Sequence, residues 1–188
     1  MVEKGLYYLK EEYYQLIRLM GGSWEDTKHR PVVCLLKSNE NENLYWAIPM
    51  GNLKHRTKEQ ADRIKSYINQ PKDSIKSCYY HIGRTSNKSI FFISDAIPIT
   101  EKYIAEEHLS ADQSHYVIKN TKLIAELERK LLRILSYENA RNNYFRQHIT
   151  DVKWYLLKEL YDEKQSLSVN QESPKVSTGI TASGSSSS

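Results

Sequence analysis

The sequence has no long apolar run, few cysteines and no pattern of paired metal ligands. No stretch of about 18 apolar residues occurs, so we predict no transmembrane helix. The N-terminal segment lacks a secretory signal, which leads us to expect a cytoplasmic protein. Cys34 and Cys78 each lie in an apolar segment, which predicts buried, reduced thiols. We expect no metal ion and no other cofactor.

Several catalytic patterns are also missing. There is no carboxylate cluster at a metal-binding spacing, no glycine-rich phosphate loop and no turn that presents a nucleophilic serine. Two-metal nucleases need clustered carboxylates. Any nuclease activity is therefore predicted to be independent of metal ions.

Basic residues and tyrosines are what the sequence has in excess. The net charge is only +4, but residues 54–65 hold five Lys or Arg against two acids. There are 14 tyrosines and 3 phenylalanines. Most of the tyrosines are expected to be structural, but a flat ring with a hydroxyl also suits contact with unstacked bases. RNA is therefore a candidate partner.

Apolar segments predict five strands, at residues 6–10, 31–36, 44–48, 78–82 and 89–94. Helical spacing predicts helices at 11–20, 57–69, 100–109 and about 120–163, with a break at 138–143 and a capping box at Thr57 and Gln60. We therefore expect an α+β fold in which a small, mainly antiparallel barrel packs against long C-terminal helices. Residues 1–163 should form one domain, and residues 164–188 a disordered, serine-rich tail.

A basic turn carries the strongest functional signal. Lys54, His55 and Arg56 follow the apolar segment that ends at Pro49, and they precede the predicted helix at 57–69. They combine a donor, a possible proton shuttle and a fixed cation, the groups that cleave a phosphodiester without metal. Cations oppose the dipole at a helix N-terminus, which indicates a bound anion there. The alternative is a solvated basic corner.

Other basic residues extend this candidate RNA surface. Lys58 and Arg63 lie on the helix that follows. Lys28, His29 and Arg30 precede the second strand, and they would face the same cleft if strands two and three are neighbours. The alternative for this second triplet is a charged loop.

The remaining histidines carry less information. His81 lies in the fourth predicted strand, where it is either a structural residue or an RNA contact. The contexts of His108, His115 and His148 assign them no chemistry.

Three segments carry a family resemblance. They are a strand and tyrosine-containing helix at residues 6–17, two strands ending in IPMGNLK at 30–54, and FFISDAIPI at 91–99 with its preceding Ile90. In these segments the sequence resembles the toxins of type III toxin–antitoxin systems, the ToxN and AbiQ group and more closely its CptN-like branch.

The resemblance implies an endoribonuclease with an SH3-like barrel wrapped by helices. Such a toxin cuts cellular or phage RNA without metal and leaves a 2′,3′-cyclic phosphate and a 5′-OH. It is inhibited by a folded antitoxin RNA, a pseudoknot, which it processes from a repeat-containing precursor. Protein and RNA then form a hetero-oligomer that acts in phage defence.

The resemblance also places individual residues. Lys54 matches the lysine after the strand-ending proline, and Asn52 stands where the family often has serine. Arg30 lies near a lysine before the second strand. Tyr13 lies near a tyrosine of the first helix, and Ser94 near a polar residue at a strand end.

The sequence departs from the family at its hydroxyl pair, because Asn52 follows a glycine. Either Asn52 donates through its amide, or His55 takes over proton transfer, alone or with Lys54. In this reading Lys54, Arg56 and Arg30 stabilise charge on the phosphoryl oxygens. Two other hypotheses stay open: a non-catalytic RNA-binding module, and a protein–protein module built on the C-terminal helices.

Overall fold

The computed structural model describes residues 1–24 and 30–171, with side chains described as far as residue 167. These residues form an α+β fold. The strands are β1 (Leu6–Leu9), β2 (Val32–Lys37), β3 (Tyr45–Asn52), β4 (Tyr80–Arg84), β5 (Lys88–Phe92), β6 (Ile97–Ile99) and β7 (Ile104–Glu107). The helices are α1 (Glu11–Leu19), α2 (Lys58–Ile68), α3 (Thr121–Ala140) and α4 (Ile149–Gln171).

The strands form one antiparallel sheet with β3 at its centre. The order is β4-β5-β3-β2-β1-β7, and β6 pairs with β3 beside this path. The first part of β3 pairs with β2 and β6, and its last three residues, Met50 to Asn52, pair with β5. Within the described residues β4 and β7 do not pair, so the sheet is open and the expected closed barrel is not confirmed.

The sheet separates two apolar cores. Alternate residues of a strand point to opposite faces, and β2 shows this directly. Val33 and Leu35 pack with α3, whereas Val32 and Cys34 pack with α1 and α4. This burial on both faces explains why β2 is apolar along most of its length.

The predicted elements with strong local signals are present. Five strands and α1 lie where the sequence placed them, and Thr57 and Gln60 form the predicted capping box. Cys34 and Cys78 are buried free thiols, as predicted. Burial raises the pKa of the Cys34 thiol to about 12.

The predicted helix at residues 100–109 is wrong. A short 3-10 turn, Glu101–Tyr103, leads into β7, which pairs with β1. The helical preference of Ala105 and the glutamates is overridden because β7 completes the edge of the sheet. Strand β6, which precedes this turn and contains Pro98, was not predicted either.

The long C-terminal helical region breaks at residues 141–148, which overlap the predicted break at 138–143. Glu138, which is 2% exposed, accepts hydrogen bonds in the turn between α3 and α4. Helix α4 extends to Gln171, so the predicted boundary at residue 163 falls inside a helix. Residues 172–188 of the predicted tail lie outside the described residues. In the described part of the chain, no helix combines the length and apolar character needed to cross a bilayer.

Candidate functional site

The basic triplet lies in the tight connection from β3 to α2. Asn52 accepts a hydrogen bond at Oδ1 from the Lys54 N–H at 2.9 Å, which starts the 3-10 turn Leu53–His55. The N–H of Arg56 closes this turn on the carbonyl of Leu53 at 3.2 Å. The predicted position of the triplet, between a strand end and a helix start, is therefore confirmed.

The start of α2 is already stabilised by the protein. Thr57 Oγ1 accepts from the Gln60 N–H, and Gln60 Oε1 accepts from the Thr57 N–H. Hydrogen bonds from its own backbone N–H and from Thr57 lower the pKa of Glu59. Because a carboxylate occupies this helix end, the N-terminus of α2 gives little support to the phosphate site that the sequence indicated there.

Arginines converge instead on a neighbouring cleft of about 580 Å³, here called the arginine cleft. Four arginines line it: Arg30, Arg56, Arg63 and Arg146. Its other lining residues are aromatic or small and polar: Tyr67, Tyr79, Tyr80, Phe92, Ser94, Asp95, Tyr144 and Phe145.

Phe92 at the end of β5 forms the base of this cationic surface. The guanidinium of Arg30 lies 5.3 Å from the centre of its ring, and that of Arg56 lies 5.1 Å from it. These are cation–π distances, so both arginines are held over an aromatic face while their planar donors can still meet a phosphate.

The arginine cleft has an excess of positive charge. Four arginines but a single carboxylate, that of Asp95, are among its lining residues, and Asp95 forms an ion pair with Arg146 at 2.8 Å. The carbonyl of Ser94 accepts a hydrogen bond from Gln147 at 3.0 Å, which ties the α3–α4 turn to the strand end. The residues that line the cleft come from five separate chain segments, at positions 30, 56–67, 79–80, 92–95 and 144–146.

The tyrosines of the arginine cleft are closely spaced. The ring centre of Tyr67 lies 5.5 Å from that of Tyr79 and 5.6 Å from that of Tyr80. Burial raises the pKa of Tyr79, and a hydrogen bond with Tyr144 adds to this. Burial also raises the pKa of Tyr80. Tyr144 is 47% exposed and presents a ring to solvent.

Asn52 and Lys54 line two other clefts, beside the β4–β5 turn. Asn52 lines a cleft of about 210 Å³ together with Tyr8 and His108, here called the Asn52 cleft. Lys54 lines a cleft of about 500 Å³, here called the Lys54 cleft. Both clefts include Ser86 and Asn87, so they adjoin at that turn.

The alternation of β3 explains why the predicted site residues divide between clefts. A side chain at Gly51 would point towards the arginine cleft, 3.5 Å from Nη2 of Arg56, although Gly51 itself lines the Asn52 cleft. Asn52, the next residue, lines the Asn52 cleft. The structure thus joins Arg30, Arg56, Arg63 and Ser94 in one cleft and places Asn52 and Lys54 in two others.

Other predicted RNA contacts have different surroundings. Tyr13 has no exposed surface, and its hydroxyl donates to the carbonyl of Pro98, so its prediction as a stacking residue is wrong. His55 and Lys58 are exposed but line none of these three clefts of the described structure. Lys28 and His29 lie outside the described residues.

His81 belongs to the other face of β4. Its neighbour Tyr80 lines the arginine cleft, so His81 points away from that cleft. Burial lowers the pKa of His81, and Lys130 on α3 lowers it further. His81 therefore does not line the arginine cleft, and its contact with RNA stays a prediction.

Sequence reasoning missed eight of the twelve residues that line the arginine cleft. Arg146 and Tyr144 come from the α3–α4 turn, and no local spacing links them to β3. The abundance of tyrosine was the available signal for Tyr67, Tyr79 and Tyr80, but it did not single them out. Among the described residues, no group of three His, Cys, Asp or Glu side chains could hold a metal ion.

Comparison with known proteins identifies a shared fold. The sequence matches no protein-family model and no curated protein. Among solved structures it is similar to AbiQ, a lactococcal anti-phage endoribonuclease belonging to the type III toxin–antitoxin system. The TM-score is 0.52 at 14% sequence identity, over 88% of this chain and 98% of that chain. At this identity the likeness shows a common fold.

Proposed function

We propose that this protein is a metal-independent endoribonuclease toxin of a type III toxin–antitoxin system. The observation that carries the proposal is the pair of surfaces at the end of β3. One is the arginine-rich, aromatic cleft, and the other consists of the adjoining clefts with Asn52 and Lys54 beside the β4–β5 turn. The fold shared with AbiQ, whose name describes such an enzyme, supports it.

The arginine cleft suits the binding of single-stranded RNA. Arginine binds phosphate through two parallel N–H donors, and Arg30 and Arg56 are held in place over Phe92. The exposed ring of Tyr144 can stack on an unpaired base. Each stacked base contributes about 1–3 kcal/mol without reading its sequence.

The Asn52 and Lys54 clefts suit the cleavage step. The RNA 2′-oxygen attacks the adjacent phosphorus, the bond to the 5′-oxygen breaks, and a 2′,3′-cyclic phosphate and a 5′-OH result. The ammonium of Lys54 stabilises the developing negative charge. Since Asn52 Oδ1 is occupied by the Lys54 N–H, the Asn52 amide nitrogen is the group that can donate to the phosphate. Lys and Asn donors provide this stabilisation without a metal ion.

The inhibitor would be a folded antitoxin RNA that covers the same clefts. A structured RNA can place one phosphate in the arginine cleft and another beside Lys54, on both sides of the end of β3. The toxin would release this RNA from a repeat-containing precursor by the same reaction and stay bound to it in a hetero-oligomer.

An RNA cleavage assay in EDTA tests the proposal. Purified protein is incubated with single-stranded RNA, and the ends of the fragments are analysed. We expect cyclic phosphate ends for the wild type, weaker RNA binding for Arg30→Ala/Arg56→Ala, and loss of cleavage for Lys54→Ala. Lys158→Ala, an exposed lysine on α4, is the matched control and should cleave normally. A folded wild-type protein that leaves RNA intact would refute the proposal.

A non-catalytic RNA-binding module is the second candidate. The arginine cleft favours it, because the one carboxylate among its lining residues, Asp95, is ion-paired with Arg146. Expression in bacteria without the partner RNA separates the two. Growth arrest that Lys54→Ala abolishes supports the enzyme, and normal growth supports the binding module.

A further inference from the structure

His108 is held rigidly at the wall of the Asn52 cleft. It follows β7, and its N–H donates to the carbonyl of Leu6 at 2.9 Å. Its own carbonyl accepts from the N–H of Tyr116 at 2.8 Å. Its ring nitrogen Nδ1 lies 2.9 Å from the hydroxyl of Tyr8. With Nδ1 engaged by Tyr8, Nε2 is the nitrogen that can serve a ligand in the cleft.

The other polar side chains of the Asn52 cleft are hydroxyls and amides. Ser89 donates to the carbonyl of Asn87 at 3.2 Å and lies 3.0 Å from Thr85 Oγ1. Tyr8 is a phenol whose pKa is raised by burial. Among the described residues that line this cleft, His108 is therefore the side chain that can exchange a proton at physiological pH.

We propose that the scissile phosphate of the RNA binds in the Asn52 cleft, and that His108 is the general base of the cleavage reaction. The inference rests on the proposed endoribonuclease function and deepens it. His108 Nε2 removes the 2′-OH proton as the 2′-oxygen bonds to phosphorus. The bond to the 5′-oxygen breaks, and that oxygen takes a proton from the Lys54 ammonium. Both side chains then return to their starting states by proton exchange with water.

Tyr8 gives His108 the orientation that this step needs. The Tyr8 hydroxyl can accept from Nδ1–H, which fixes the tautomer with an unprotonated Nε2 and supports the imidazolium that forms. Tyr8 is thus a positioning residue.

The charged surroundings of His108 keep the neutral form available. Burial lowers the pKa of His108, and His115 lowers it further. His115 in turn lies 3.6 Å from Glu107, and the ring of Tyr116 packs 6.2 Å from that of His108. Because the imidazole must be neutral to accept a proton, cleavage should fall as the pH drops through a value below the ordinary pKa of histidine.

The test compares His108→Asn with the wild type and with His148→Asn. Asparagine can keep the bond to Tyr8 but cannot act as a base. His148 is the matched control, since its Nδ1 bonds to the carbonyl of Met20 at 2.9 Å outside these clefts. Cleavage rates are measured between pH 4.5 and 8.5, with melting temperature as the check on folding. Tyr8→Phe measures the positioning role.

We expect His108→Asn to cleave RNA at least about 100-fold more slowly than the wild type and to retain its RNA affinity. The decrease in cleavage rate at low pH, here called the acid limb of the pH profile, should be absent. Tyr8→Phe should lower kcat and shift the acid limb, and His148→Asn should match the wild type. In the folded wild type, the His108 resonance should move when a nucleoside 2′,3′-cyclic phosphate is added, which needs no variant. The inference is overturned, while the proposed function stands, by either of two results. One is unchanged cleavage and an unchanged pH profile in His108→Asn, and the other is a His108 resonance whose chemical shift does not change when the nucleotide is added. A wild type that cleaves no RNA overturns both.

Discussion

Replacing Glu138 by glutamine tests the turn that carries Arg146 into the arginine cleft. The Glu138 carboxylate is 2% exposed, and it accepts five hydrogen bonds of 2.7–3.4 Å from the turn and the start of α4. One oxygen accepts from Asn143 N–H and from both the N–H and hydroxyl of Thr150. The other accepts from the N–H groups of Tyr144 and Phe145.

Glutamine cannot satisfy both sets of donors. In either orientation its NH₂ group faces at least two backbone N–H groups, which cannot turn to accept. Each buried N–H left without an acceptor costs about 1–3 kcal/mol, and the remaining bonds lose their charge assistance. We therefore expect Glu138→Gln to lose about 3–5 kcal/mol of stability. For a chain of this size that loss lowers the melting temperature by roughly 6–20 °C.

The assay is thermal unfolding together with RNA affinity measured well below the melting temperature. Glu128→Gln on the same helix is the control, since its carboxylate does not hold the turn, and it should melt like the wild type. RNA affinity of Glu138→Gln should fall towards that of Arg146→Ala, because the displaced turn carries Arg146. A melting temperature within about 2 °C of the wild type would show that the turn is held by other contacts.

Other perturbations have separate readouts. Lys54→Ala should slow cleavage at least about 100-fold. Its melting temperature should not change, because the Lys54 side chain is exposed, and retained toxicity would show that Lys54 is not part of the site. The salt slope of RNA affinity should shrink by about 1.4 in Arg30→Ala/Arg56→Ala, since each lost phosphate contact removes about 0.7; an equal slope would refute those contacts. Cys34 should resist alkylation at pH 8 until the protein unfolds, since burial raises its pKa to about 12; rapid native labelling would contradict this. Truncation after Glu163 should leave folding and cleavage intact, because residues 161–167 are exposed, and a clear fall in melting temperature would show otherwise.

Local patterns predicted the parts of the fold that local chemistry determines. The capping box at Thr57 and Gln60 is such a case, because both partners lie within one turn of helix. Strand β7 is the opposite case. Its residues favour a helix, and only pairing with β1, about a hundred positions earlier, makes them a strand. No window along the chain contains that information.

The candidate site shows the same limit. The basic turn at Lys54 could be predicted because it follows a strand end directly. That Arg146 lines the same cleft as Arg56 could not be predicted. It depends on the hydrogen bonds of Glu138 in the α3–α4 turn and on the bond from this turn to Ser94. The proposed role of His108 is a similar case, because it depends on the contact with Tyr8 in strand β1.

The alternation along β3 has a consequence for how this protein tolerates insertions. Trp46, Ile48 and Met50 pack in one core, while Tyr45 and Ala47 pack in the other. Adding one residue between Met50 and Asn52 would reverse the parity of the strand end and turn Asn52 towards Phe92. Adding two would restore the parity and lengthen the strand by one repeat. Inserting an odd number of residues should therefore remove the Asn52 side chain from its cleft and abolish cleavage in a protein that still folds. Inserting an even number leaves each side chain on its own face of the strand.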